Sequence, residues 1–212
     1  MKFKLSLFSF ILSLTVQAQQ MRDVFANMPD SVLQIMTKNN RLDCIDFIEN
    51  KMEAKVRNRF DGYSVLKRLT NDYLELSLTQ RTQIEMKLLP LTDSLHVVAV
   101  LKTYSGPVSE SVLRCYNTKW EVLPLAHLIT YPVDDDYWIK DDSVSIDDLN
   151  RLKSLLDMRM VKMHFQEGMY RLVFELQPGE VDKEVADEMK LYMRPVVYEW
   201  KDGRFIKQGD IN

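Results

Sequence analysis

The spacing of apolar positions changes period along the chain, and the change marks out its parts. Between residues 29 and 54 they recur at helical spacing: Val32, Leu33, Ile35 and Met36, then, past a break at Asn39-Asn40, Leu42, Ile45, Ile48 and Met52. Asp43, Asp46, Glu49 and Lys51 fill the polar side of that second set. Pro29-Asp30-Ser31 is a helix start with Asp30 or Ser31 as N-cap, and the amphipathic stretch is expected to end before Asp61-Gly62. Ahead of Pro29, Met21, Val24, Phe25 and Met28 fall at i, i+3, i+4 and i+7. The segment from Gln19 to Asn40 is therefore predicted as two short helices broken at Met28-Pro29, with Phe25 and Leu33 buried in one core rather than offered to a partner.

From Asp72 the period becomes two. Leu74, Leu76 and Leu78 alternate with Tyr73, Glu75 and Ser77, and Ile84, Met86 and Leu88 alternate with Gln83, Glu85 and Lys87. HVVAVLKTY (96–104) and SVLRCY (111–116) continue the series, and Trp120 to Leu123 adds a further candidate strand. The links are short, which predicts antiparallel hairpins in a meander. Residues 130–144 (TYPVDDDYWIKDDSV) are acidic and polar, a connector. Ser145-Ile146-Asp147-Asp148 opens a helix with a near capping box and a stripe of Leu149, Leu152, Leu155 and Leu156. Strand patterns return at 158–165 and 170–176, a charged stretch at 182–190 is a short helix or loop, and 196–200 and 204–207 flank Lys201-Asp202-Gly203, a strong hairpin signal. The order predicts an α+β fold with helices on one face of an antiparallel meander, in one continuous sheet or two, arranged as two similar helix-plus-four-strand halves, residues 19–129 and 145–212, in one domain or two.

The first 18 residues change the picture of where the chain works. Lys2 and Lys4 precede an apolar run from Leu5 to Val16, and Val16-Gln17-Ala18 offers small residues at −3 and −1 of a cleavage site. This is a secretory leader, too short to span a bilayer comfortably. Its removal takes two positive charges from a formal net charge of −3. An acidic chain without a Lys/Arg cluster argues against a nucleic-acid partner, and the absence of a later long uncharged apolar stretch argues against membrane insertion after cleavage. Cys44 and Cys115 either pair across a loop of about 70 residues or are two buried free thiols, and the second is favoured because Cys behaves as a small hydrophobe.

Candidate chemistry is sparse. Asp134, Asp135, Asp136, Asp141 and Asp142 crowd the connector, and Asp134, Asp136 and Asp141 are its best candidate metal ligands. The EF-hand order is missing, however, and a solvated connector is the favoured reading. Met158, Met160, Met163 and His164 are soft ligands for Cu(I), but their alternation fits a core strand better. His96, His127 and His164 are far apart, and no nucleophile elbow, zinc signature, P-loop or dinucleotide fingerprint is present. No cofactor is expected. The residues that remain are those a recognition surface would use: Tyr73, Glu75, Gln83, Glu85 and Lys87 on the sheet face away from the helices, and Tyr137 and Trp138 in the connector.

MRDVFANMPDSV, NNRLDCIDFIE, TNDYLELSLT, IEMKLLPL and the terminal VVYEWKDGRF together resemble an uncharacterised secreted family of Bacteroidales, a domain of unknown function. The resemblance spans most of the chain past the leader. It implies the periplasm or exterior of a Gram-negative cell and implies no activity. At the level of fold, the helix-then-meander order is similar to β-lactamase-inhibitor-like and PepSY-type periplasmic modules, which mostly bind proteins or peptides. The expected function is a non-catalytic binding module for a protein, peptide or envelope component. The alternatives are a metal-dependent hydrolase using the Asp-rich connector and a structural subunit of an envelope complex.

Overall fold

The computed structural model describes residues 20–93, 95–139, 145–156 and 158–209. The leader and Asp141 lie outside them. Two antiparallel sheets carry the fold, each a meander in strict chain order. The first has seven strands: β1 (Lys55–Arg57), β2 (Tyr63–Leu69), β3 (Tyr73–Ser77), β4 (Thr82–Pro90), β5 (His96–Ser105), β6 (Ser109–Asn117) and β7 (Val122–Leu123). The second has four: β8 (Met160–Phe165), β9 (Arg171–Gln177), β10 (Val196–Lys201) and β11 (Arg204–Lys207). The α+β class and the meander stand as predicted. The halves are unequal, because two strands precede the first that the sequence pattern indicates.

Helices α1 (Met21–Ala26) and α2 (Lys38–Glu49) lie over one face of the seven-stranded sheet. Phe25, Leu33, Met36 and Ile45 meet Leu66, Leu74, Leu76, Ile84 and Met86 there, so Phe25 and Leu33 share one core as expected. The predicted helix across residues 29–54 is shorter at both ends. Residues 28–36 form no regular helix, and α2 is capped by Thr37, whose Oγ1 accepts from the Asn40 amide at 3.1 Å while Asn40 Oδ1 accepts from the Thr37 amide at 3.0 Å. Asn40, part of the pair that looks like a break, forms the capping box of a new helix with Thr37. Lys51, in the left-handed region at φ 59°, ends it well before Asp61.

The second core fills the space between the sheets. Leu89, Val97, Ala99, Leu101, Leu113 and Cys115 face Met163, Phe165, Leu172, Phe174 and Tyr198 across it. Helices α3 (Ile146–Ser154) and α4 (Lys183–Tyr192) close its side with Leu149, Leu152 and Met189. The Asp202-Gly203 turn between β10 and β11 has φ of 51° and 77°, the two positive values a two-residue hairpin of this kind needs. Cys44 lies in the helix-side core and Cys115 in the inter-sheet core, both as free thiols.

Candidate functional site

Alternation puts Tyr63, Val65, Tyr73, Glu75, Ser77, Gln83, Glu85 and Lys87 on the sheet face away from α1 and α2. As an undivided recognition surface this face does not exist. β8, the edge strand of the second sheet, lies across β4, β5 and β6. That half of the face is buried on both sides.

An edge strand laid on another sheet brings unpaired backbone donors into a dry interface, and they need partners. Polar side chains of the first sheet supply them. The Phe165 amide donates to Glu85 Oε2 at 3.1 Å, and the Met163 amide donates to Ser111 Oγ at 2.9 Å. The Tyr73 hydroxyl donates to the same Glu85 oxygen at 3.1 Å, and Thr103 Oγ1 and Ser111 Oγ lie 2.8 Å apart. Burial raises the Glu85 carboxyl above its ordinary 4.5, against the opposing pull of the Phe165 amide and the Tyr73 hydroxyl. Beside it Lys87 is 2% exposed, with Nζ 2.6 Å from Asp72 Oδ2 and 5.1 Å from the centre of the Tyr170 ring. A β-bulge between Leu66 and Arg68 turns Arg68 onto this face, where it meets Glu167 of the β8–β9 turn at 2.9 Å. Tyr73, Glu85 and Lys87, expected on a binding surface, instead form the polar seam that holds the two sheets together.

Past the seam the face is bare. The second sheet packs mainly on β4, β5 and β6, and its β8–β9 turn meets β2 at Arg68; toward the other end of β2 a groove of about 690 Å³ opens between the β1–β2 and β3–β4 turns. Val65 and Ser77 line its floor, with Ile35, and Lys55, Phe60, Tyr63 and Arg81 border it. Phe60 is 77% exposed and Tyr63 58%, far from the usual fate of large aromatic side chains. Lys55 Nζ sits 4.7 Å from the centre of the Tyr63 ring. Glu75, of the expected set, is half-buried beside this area, its Oε1 accepting from Gln83 Nε2 at 2.8 Å and lying 3.3 Å from Lys67 Nζ. The sequence reading missed Lys55, Phe60 and Tyr63 because it ran the preceding helix up to Asp61, and Arg81 because it falls in the short link Thr79-Gln80-Arg81 between two strand patterns. The signal was there: Asp61-Gly62 is a turn pair, and Ser64 and Leu66 alternate with Tyr63 and Val65 behind it.

The connector is built inward. Trp138, 1% exposed, bridges to Met193, and the Ile139 amide donates to the Tyr192 carbonyl at 2.8 Å. Tyr137 is buried in the same inter-sheet core. Both aromatic side chains therefore close the core. The three aspartates before them diverge to three different elements. Asp134 pairs with Arg159, Asp135 with Lys153 at 2.7 Å, and Asp136 with Lys207 at 2.9 Å. Burial works against the Asp136 charge, but Lys207 and the Val133 amide outweigh it and hold the carboxyl below its usual value. Among the described residues no three His, Cys, Asp or Glu side chains come together as a metal would require.

The class so defined is a two-sheet α+β protein whose larger sheet is covered by helices on one face and half-covered by the smaller sheet on the other. The chain belongs to the family described as "Protein of unknown function (DUF3256)", whose model matches residues 13–205. It is similar in fold to a solved domain of an uncharacterized protein from Porphyromonas gingivalis W83, with 23% identity, a TM-score of 0.75, and coverage of 90% of this chain and all of that one. None of the curated proteins matches.

Proposed function

We propose that this chain is an exported, non-catalytic binding module whose recognition surface is the groove over β1 and β2. The exposure of Phe60 and Tyr63 on the half of the sheet that the second sheet leaves uncovered carries the reading. Aromatic side chains bury 150–250 Å² each and dominate interface energetics, so two of them beside a groove favour a partner contact over solvent. The leader supports export to the periplasm or beyond, where the partner is a protein, a peptide or an envelope component. A hydrolase built on the connector finds no support in Asp134 and Asp136, each of which answers a cation on a different strand or loop.

Affinity capture from the native envelope with the wild-type protein and with a Phe60→Ala, Tyr63→Ala double variant tests this. A partner captured by the wild type and lost with the variant is the expected result. Retention of the same partners by a folded variant overturns it. Both residues are largely exposed, so the variant's stability should stay within about 1 kcal/mol of wild type.

A further inference from the structure

We infer that the groove takes an acidic segment of a protein partner, an extended stretch carrying carboxylates next to an aromatic or aliphatic side chain. The inference rests on the binding reading above and adds the chemistry of the occupant. Two charged side chains, Lys55 and Arg81, line the groove, and both are cations. Asp61, in the β1–β2 turn, is engaged by Arg57 at 3.0 Å, and Asp30 by Arg59 at 2.7 Å. Glu75, on the same face, is engaged by Lys67 and Gln83. The cationic lining is local, since the whole chain carries a formal net charge of −3. A positive groove on an acidic protein steers and selects an acidic partner while disfavouring others.

The position of Lys55 favours a charged protein segment over a neutral sugar at Tyr63. A sugar ring stacks on an open aromatic face, but one face of Tyr63 is occupied by the Lys55 ammonium, 4.7 Å from the ring centre. That ammonium keeps donors for a carboxylate, whose hydrogen bonds to a charged donor are among the stronger ones. Phe60, exposed at the rim, and Val65 with Ile35 on the floor offer contact for an apolar side chain. A groove of about 690 Å³ has room for more than one side chain, which suits a short peptide segment.

Selection of a random heptapeptide phage library on the purified protein tests this, with Tyr63→Ala and Lys55→Glu, Arg81→Glu variants alongside. The expected enriched sequences combine Asp or Glu with Phe, Tyr or Leu. The best of them, synthesised, should bind the double charge variant at least about tenfold more weakly and lose affinity as salt rises. Neutral or basic sequences whose binding still needs Tyr63 overturn the acidic inference and leave the groove reading standing. Sequences indifferent to Tyr63→Ala overturn both. No enrichment, with binding of oligogalacturonate that Lys55→Glu, Arg81→Glu abolishes, overturns the protein segment in favour of an acidic glycan; no enrichment and no such binding overturns the proposal outright.

Discussion

Glu85 carries a charge into the space between two sheets and spends it on one amide, that of Phe165, and one hydroxyl, that of Tyr73. Glu85→Ala leaves the Phe165 amide buried without an acceptor and is expected to cost about 1–3 kcal/mol in urea unfolding. Glu85→Gln keeps an acceptor oxygen and removes the buried charge, so its cost at neutral pH should be much smaller than that of the Ala variant. The pH dependence has a definite direction. The folded carboxyl titrates above its unfolded value of 4.5, so the native state holds the proton more tightly. Well below 4.5 both states are protonated and the group contributes no difference. As pH climbs from there to the raised native value, the unfolded chain ionises first and wild-type stability falls through that window. Glu85→Gln should show a flatter profile over the same range, and an identical profile contradicts the assignment. The alternation that puts Glu85 opposite the helices is plain in the sequence, but what covers that face is not. A polar residue facing water and one facing a foreign strand edge have the same pattern, because the pattern records only which face a residue is on. Arg41 was hidden for a related reason. It looks like a polar position on an amphipathic helix, yet it is wholly buried, its guanidinium donating to the carbonyls of Phe25, Met28 and Met36 and to Asp30.

That guanidinium explains how the N-terminal elements hold together. Residues 28–36 contain too little regular structure to satisfy their own carbonyls, and Arg41 on α2 gathers them, together with the end of α1. The Arg41 hydrogen bond and charge also hold the Asp30 carboxyl below its ordinary range. Arg41→Met is expected to cost about 3 kcal/mol or more and to speed amide exchange at Val24 and Asn27 before it affects β4 and β5. Uniform loosening of the whole chain would show that the contact is not local to this segment. At this scale most strands were legible, because alternation over five or more residues has few competing explanations. β1 and β2 were not, since β1 is three residues long and the apolar spacing before it continued a helix on paper. Lys51 at positive φ, which ends α2, has no clear composition signal: left-handed residues are more often Gly or Asn.

The whole molecule is set by how the smaller sheet docks. Its edge strand β8 crosses β4 to β6 and its β8–β9 turn meets β2 at Arg68, which leaves the groove end of β1 and β2 outside the packing. This divides one sheet face into an interior and a surface. The meander order could be inferred from the sequence; its division into two stacked sheets could not, because the contacts between Glu85 and Phe165 or Ser111 and Met163 join residues with no shared local pattern. The family and the related Porphyromonas gingivalis fold assign no function, so the bare half of the face carries the functional argument. The direct measurement is photo-crosslinking in the native cell, with benzoylphenylalanine replacing Phe60 in one protein and Leu191 in another. Leu191 is also strongly exposed, on α4, away from the groove. A discrete adduct from position 60 that is missing from position 191 is expected. Equal labelling from both positions, or none from position 60, would contradict the groove over β1 and β2 as the binding surface.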